Sequence, residues 1–387
     1  MDCKNKIIMK VLYCNPSFWE YRLPFYKELN RLFKDDFHIL YSTRRFCKWG
    51  HESFLKRIKK EMGENAHEYD NEPMLDFHKK QVSLPLGLWK RISKVKPDVL
   101  ITEGFFQWTP LVQLYGSLLH VPVFMGYERT LYTERNNSKL KTWIRKIQDK
   151  FIKGYLVNGS ETKKYLESIG VSPNKIVIGG MSADSEGLRK AIAAFSEEKK
   201  NIFKEKFQKD TNGILYLFTG KLIERKGILP LLAAWMKHIE KYPSDNLLVV
   251  GDGEQHDECK RKYGNVSSIH LEGGVTYDDI YKYYAVADVY ILPTIEDNWS
   301  LVIPEAMSCG LPVATSIYNG CHVELIHEGE NGTTFDTFNQ ESLVNALAYF
   351  HQHNLNEMGK KSIEIEKTFN TKNCARREYE GIINLLK

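Results

Sequence analysis

The stretch Ile291–Val313 (ILPTIEDNWSLVIPEAMSCGLPV) constrains the fold more than any other part of this 387-residue chain. The apolar run Val289–Leu292 reads as a buried strand, Pro293–Ser300 as a polar turn, and the segment entered near Leu301 as a helix. Cys309-Gly310 is a helix stop, and Leu311-Pro312-Val313 opens the next strand. A helix entered this way leaves its first backbone N–H groups facing the turn, a geometry that suits an anion and most often phosphate. The acids Glu296 and Asp297 stand beside it. An ordinary βα unit with solvated acids fits the same residues.

The unit recurs along the chain. Strands are expected at Lys10–Cys14, His38–Tyr41, Pro97–Thr102, Val121–Met125, Gly154–Asn158 and Ile176–Ile178, then at Gly213–Gly220, Asn246–Val250 and Ser268–Leu271. Helical spacing occupies Phe18–Phe33, the segment from Thr109, the segment from Leu229 and Tyr277–Ala287. Residues 61–80 are polar and poorly periodic and read as a loop excursion. Strands alternating with helices, with polar residues at strand carboxyl ends, predict an α/β fold with parallel sheets and a site along that edge. The charged stretch Gly187–Asp210 marks the expected domain boundary. It gives a first domain over 1–200, a second over 201–370 and a terminal helix over 371–387.

Charge separates the two halves. Residues 1–200 carry 35 Lys and Arg against 23 Asp and Glu, whereas residues 201–387 carry 19 against 26. Different partners for the two domains follow from that asymmetry. The seven scattered cysteines show no CxxC or Cys/His spacing, so reduced thiols in a cytoplasmic protein are expected, with no zinc site. The apolar run Ile7–Tyr13 is too short for a signal peptide, and no segment reaches the roughly 18 apolar residues of a membrane span. Lys139–Lys153 is amphipathic, with Leu140, Trp143, Ile144, Ile147 and Phe151 on one face and six basic residues around them. Such a helix suits an anionic membrane surface, or packs on the sheet with its charges in water.

The order of signals in the second half carries a resemblance. Gly220-Lys221-Leu222 with Lys226-Gly227 comes first, then Val250-Gly251-Asp252-Gly253, then Gly273-Gly274-Val275. Last comes the Asp297/Glu305 stretch with Glu-Ala-Met-x-x-Gly-x-Pro-Val. Together these resemble the family 4 retaining glycosyltransferases, of the glycosyl transferases group 1 type, over about residues 213–335. Elsewhere strand order fits but motifs are thin. The resemblance implies the GT-B fold: two Rossmann-like domains facing across a cleft, the terminal helix returning to the first.

The site residues follow from the same resemblance. Lys221 and Lys226 fall on the family's basic pair and would neutralise the leaving nucleotide diphosphate, so no metal cofactor is expected and no DxD motif is seen. A pair of solvated lysines on a basic turn is the plainer reading. Glu305 would hold the ribose, and Asp297, or its neighbour Glu296, the donor sugar. The backbone N–H groups of Asn298, Trp299, Ser300 and Leu301 would take sugar hydroxyls and phosphate. Gly220, Gly251, Gly253, Gly274 and Val275 would line the turn and the base and ribose pocket. Asp297 departs from the family's glutamate, and Asn298-Trp299-Ser300 from its Gly-Phe-Gly. Glu128 stands where the family has histidine, with Arg129 beside it and Glu103 at the neighbouring strand end. Trp19, Tyr21 and Arg22 would meet an acceptor sugar or simply pack.

The expected activity is transfer from a UDP- or GDP-sugar to a hydroxyl of a saccharide or lipid-linked saccharide, in cell-surface polysaccharide or glycolipid synthesis. A GT-B epimerase, a phosphorylase and a non-catalytic nucleotide-sugar binder are the alternatives. A dehydrogenase is disfavoured, because Gly251-Asp252-Gly253 lacks the GxGxxG fingerprint. The basic first domain suggests contact with an anionic inner membrane face; nucleic acid is not expected, since no binding motif accompanies the charge.

Overall fold

Short runs of wholly apolar residues become strands covered on both faces, and they set the architecture of the computed structural model. It describes residues 9–48, 52–70, 72–77, 80–83, 85–106, 108–183, 185–208, 210, 212–276 and 278–387. Ile7 and Ile8 of the apolar run Ile7–Tyr13, and Tyr277 of the expected helix Tyr277–Ala287, lie outside them. The chain divides into two compact units.

The first unit takes in the described residues up to Asn158, then Thr162–Gly180 and Thr371–Lys387. Its strands are β1 (Val11–Cys14), β2 (Phe37–Ser42), β3 (Ala66–Tyr69), β4 (Met74–Phe77), β5 (Lys80–Ser83), β6 (Val99–Glu103), β7 (Val123–Tyr127), β8 (Gly154–Val157) and β9 (Ile176–Ile178). Seven form a parallel sheet in the order β3-β2-β1-β6-β7-β8-β9, while β4 and β5 pair as a separate antiparallel hairpin. The expected loop over 61–80 is therefore partly strand. The polar Ala66–Tyr69 segment pairs with β2 at the sheet edge, where backbone hydrogen bonds rather than an apolar pattern hold it. Strand order reverses between β1 and β6, so their carboxyl ends flank the topological switch point. The terminal helix Thr371–Leu386 packs on the helix Arg22–Leu32 of this unit, and Tyr379 meets Phe33 edge-on with ring centroids 4.8 Å apart.

The second unit comprises Gly159–Glu161 and Met181–Asn370. Its strands are β10 (Leu215–Thr219), β11 (Asn246–Val250), β12 (Ile269–Gly273), β13 (Val289–Leu292), β14 (Val313–Ser316) and β15 (Gly332–Phe335). All are parallel, in the order β12-β11-β10-β13-β14-β15. The Rossmann-like order reverses between β10 and β13. The change of unit falls at Gly180–Met181, not near residue 200. The helices Ser185–Ala194 and Glu197–Lys204 belong to the second unit because Phe195 and Phe203 pack on Tyr281 and Tyr283, with centroids 5.5 and 5.2 Å apart. At the amino end of β11, Asp245 takes hydrogen bonds from the Nε2 atoms of His238 (2.7 Å) and His351 (2.8 Å) and from the Ile214 amide (2.8 Å). That clamp ties three segments together at the sheet edge opposite the motifs.

Glu378 of the terminal helix lies buried against Gly179, where a Cβ would collide with it. Burial pushes its carboxyl up, Arg22 pulls it down, Glu103 raises it and Arg377 lowers it, and the balance stands at about 7. A carboxyl raised on folding adds stability in full below its unfolded value near 4.5, and that contribution is lost as pH rises through about 7. Glu378→Gln removes the effect. Thermal unfolding from pH 5 to 8 is expected to weaken the wild type on the order of 2–3 kcal/mol more than the variant.

Candidate active site

The motifs of the second half collect at the carboxyl ends of β10, β11, β12 and β13. Gly220 and Lys221 follow β10, Gly251 and Gly253 follow β11, Gly274 and Val275 follow β12, and the segment Glu296–Leu301 follows β13. The first two turns touch backbone to backbone. The Gly220 amide donates to the Val250 carbonyl (3.0 Å) and the Leu222 amide to the Asp252 carbonyl (2.9 Å). A Cβ on Gly251 would overlap the Gly220 carbonyl, so only glycine permits this approach.

The turn Glu224–Lys226 is locked against the segment after β13. Gly227 has φ +69°, and a Cβ there would strike the Pro293 carbonyl. The Arg225 carbonyl accepts from the Ile295 amide (2.8 Å) and the Thr294 hydroxyl (3.0 Å), and Arg225 Nη1 donates to the Glu296 carbonyl (2.9 Å). As a result Lys226 Nζ lies 2.6 Å from Asp297 Oδ2, with Arg225 Nη1 3.5 Å from the same oxygen. Burial pushes the Asp297 carboxyl up, but Lys226 and Arg225 outweigh it and hold it below the usual aspartate range. Asp297 thus faces the basic turn. Lys221 is exposed and has no ion-pair partner among the described residues.

The segment after Asp297 differs from expectation. Of the four backbone N–H groups assigned to a ligand, two bond within the protein: Trp299 N–H to Asp297 Oδ1 (3.3 Å) and Ser300 N–H to Asn319 Oδ1 (3.2 Å). Trp299 is buried and packs on Phe369, so its ring is core. The helix Val302–Ser308 follows Leu301 as its N-cap residue, with no side-chain cap. Glu305, in its first turn, accepts from Tyr284 OH (3.2 Å). Tyr284 and Tyr290 in turn meet Thr219 Oγ1, both at 3.0 Å. This hydroxyl network joins Glu305 to the end of β10 and escaped the sequence reading, because its members lie far apart in the chain. Arg225 and Asn319 escaped it too; Arg225 had a signal in its place between the two lysines' positions, Asn319 had none.

Glu128 belongs to the first unit, just past β7, and forms an ion pair with Arg22 at the start of the helix Arg22–Leu32. It is therefore a partnered acid. Glu103, at the end of β6, accepts from Tyr13 OH; Asn15 Nδ2 bonds Tyr26 OH (3.0 Å). Burial raises the Glu103 carboxyl, against the pull of Arg22 and Tyr13. In the aromatic turn Phe18 is buried among Tyr26, Tyr41, Phe46 and Phe54, whereas Trp19 is exposed. Arg129 lies 3.4 Å from Glu134 and lines a cavity of about 380 Å³ with Phe105, Phe106, Tyr127 and Arg145.

A carboxylate held by cations at a switch point, beside a hydroxyl-anchored glutamate, is chemistry for a phosphate and for sugar hydroxyls. Two Rossmann-like parallel-sheet units place the chain in the GT-B class, and solved structures agree. The crystal structure of Anabaena HepE in complex with UDP matches 97% of this chain and 100% of that one, with TM-score 0.72 at 15% identity. Residues 213–353 match the family model described as Glycosyl transferases group 1. An uncharacterized glycosyltransferase of Haemophilus influenzae is 28% identical over 181 residues, 40% of this chain. The chain spans about half of that relative's length, 50%. The UDP-Gal:alpha-D-GlcNAc-diphosphoundecaprenol alpha-1,3-galactosyltransferase of Escherichia coli is 27% identical over 277 residues, covering 68% of each chain.

Asp297→Asn removes the partner of a largely buried lysine, and urea unfolding at pH 7 is expected to show a loss of about 1–3 kcal/mol. Because the Asp297 carboxyl is lowered on folding, its contribution is present above the unfolded value of 3.8 and lost as pH falls through the folded one. Asp297→Asn should therefore converge on the wild type in acid.

Proposed function

We propose that this chain is a retaining glycosyltransferase of the family 4 type that moves a sugar from a nucleotide diphosphate sugar to an acceptor hydroxyl. The observation that carries the reading is the Lys226–Asp297 pair, with Arg225 beside it and Lys221 exposed nearby in the same turn, at the switch point of the second unit. UDP is favoured over GDP, since the names of the Anabaena and Escherichia coli proteins both carry it. The acceptor class favoured is a saccharide on a lipid diphosphate, in keeping with the latter name.

In this reading Lys221 and Lys226 meet the diphosphate, Glu305 the ribose, and Asp297 the donor sugar hydroxyls. As the anomeric carbon–phosphate bond lengthens, negative charge grows on the leaving diphosphate and the cations stabilise it. Diphosphate binding would release Lys226 from Asp297 in part, leaving the carboxylate to accept sugar hydroxyls. The acceptor oxygen bonds to the anomeric carbon from the side the phosphate leaves, and its proton passes to the departing phosphate oxygen. Configuration is retained and no side-chain base is needed. The lysines take the charge-neutralising role that a divalent ion has in DxD enzymes, and activity is expected to survive EDTA. Glu128, paired with Arg22, would contact the donor sugar or the acceptor hydroxyl.

Lys221→Ala is the sharpest variant, because this exposed side chain supports no packing. Turnover with a UDP-sugar and a lipid-diphosphate saccharide is expected to fall about 10²–10³-fold with an unchanged melting temperature. Wild-type turnover in that variant would remove Lys221 from the reaction. Product analysis with and without acceptor separates transfer from the rival reactions: an epimerase releases altered sugar without acceptor, and a phosphorylase requires inorganic phosphate. Ligand binding without any product would mark a non-catalytic protein.

A further inference from the structure

The helix Lys139–Asp149 is mounted with its polar side inward. Arg145 Nη1 pairs with Glu134 (2.8 Å), and Asp149 Oδ1 accepts from Tyr155 OH (3.1 Å) and Lys175 Nζ (3.1 Å). The Gln148 carbonyl accepts from Gln113 Nε2 (3.0 Å). No residue of the helix is buried. Its apolar stripe faces out: Leu140 is 64% exposed, Trp143 60% and Phe151, just beyond the helix end, 48%, with Ile144 and Ile147 also exposed. Gln113 ties this helix to Thr109–Leu119, which adds exposed Leu114 and Leu118. An amphipathic helix in a globular domain normally turns its apolar stripe to the core; an outward stripe of this size marks an interaction surface.

Charge identifies the occupant. Lys139, Lys141, Lys146, Lys150 and Lys153 flank the stripe, while Asp149, the helix's one acid, is already paired with Lys175. A second copy of this chain would bring the same cations against them, so self-association through this face is opposed. An anionic lipid surface satisfies both the apolar stripe and the cations. A cavity of about 380 Å³ opens beside the helix, lined by Lys141, Ile144 and Arg145 together with Phe105, Phe106 and Arg129. Its cations Arg129, Lys141 and Arg145 face one acid, Glu134, so it carries a net positive charge suited to a phosphate.

We propose that the outward face of Lys139–Phe151 docks on an anionic phospholipid membrane, with the phosphate of one lipid held in the cavity by Lys141, Arg129 and Arg145. The inference stands on the first unit alone and is independent of the transfer reaction. The test is sedimentation of the full chain with phosphatidylcholine vesicles, with and without phosphatidylglycerol. The wild type is expected to bind only the anionic vesicles, and less as salt rises. Trp143→Ser with Ile147→Ser should weaken binding at least roughly tenfold, and Lys141→Gln about fivefold. Both sets of positions are exposed, so an unchanged melting temperature certifies folding. Equal binding to neutral vesicles, no binding, or a Trp143/Ile147 variant that binds like wild type would overturn docking. A concentration-dependent dimer abolished by the Trp143/Ile147 change would assign the face to a second copy and overturn it as well. Unchanged binding in Lys141→Gln would remove the cavity from the proposal.

Discussion

The second unit depends on how closely its turns approach one another at the sheet's carboxyl edge. Gly251 lets the turn after β11 rest on the backbone at Gly220, and Gly227 lets the basic turn rest on the Pro293 carbonyl. Those contacts leave no room for a Cβ, and the Arg225 carbonyl, held by Ile295 and Thr294, fixes the register. The Lys226–Asp297 pair is a consequence of that seating. Side chains as long as lysine lose considerable rotamer freedom when held, so a pair set by main-chain contacts begins closer to its working geometry. The pair is also a charge arrangement that an incoming diphosphate can exchange with, because phosphate competes for Lys226 while sugar hydroxyls compete for Asp297.

The first unit has the same kind of switch point and treats charge differently. Its edge is closed by internal partners: Glu128 with Arg22, Glu103 with Tyr13, and Glu378 arriving from the terminal helix. Burial raises the Glu103 and Glu378 carboxyls there, and one arginine shared between them does not offset it, while the Asp297 carboxyl, with cations of its own, falls. The terminal helix does more than cover apolar surface, since it carries an acid into the same network as the turn after β1. Proton binding at the first unit and stability are thereby coupled through Glu378.

Much of this was legible because the central strands are unbroken apolar runs. Leu215–Thr219 and Val289–Leu292 announce themselves, and the turns after them carry Lys221, Lys226 and Asp297 in an order few folds share. What stayed hidden has physical causes. Ala66–Tyr69 is an edge strand with a polar sequence, so periodicity fails there. The charged run Gly187–Asp210 looks like a linker, yet Phe195 and Phe203 give it a side that packs on Tyr281 and Tyr283. The partner of Asp297 lies 71 positions away, which spacing alone does not reveal. The Trp299 N–H, expected to face a ligand, donates to Asp297 Oδ1, and its ring packs on Phe369.

The helix Lys139–Asp149 shows why an amphipathic pattern has no intrinsic direction. Periodicity establishes that one side is apolar and another polar, and base rates then place the apolar side inward. Here the specific partners decide otherwise. Glu134 is buried, and Arg145 is the nearer and less exposed of its two arginine partners, so turning the polar side outward would cost more than burying one or two apolar side chains gains. Asp149 has the same hold through Tyr155 and Lys175. Once the polar side is anchored, geometry turns Leu140, Trp143, Ile144 and Ile147 outward, since these positions share the opposite face at 3.6 residues per turn. Exposed apolar surface persists under selection for solubility only where something else covers it, and the flanking lysines narrow that cover to a surface bearing negative charge.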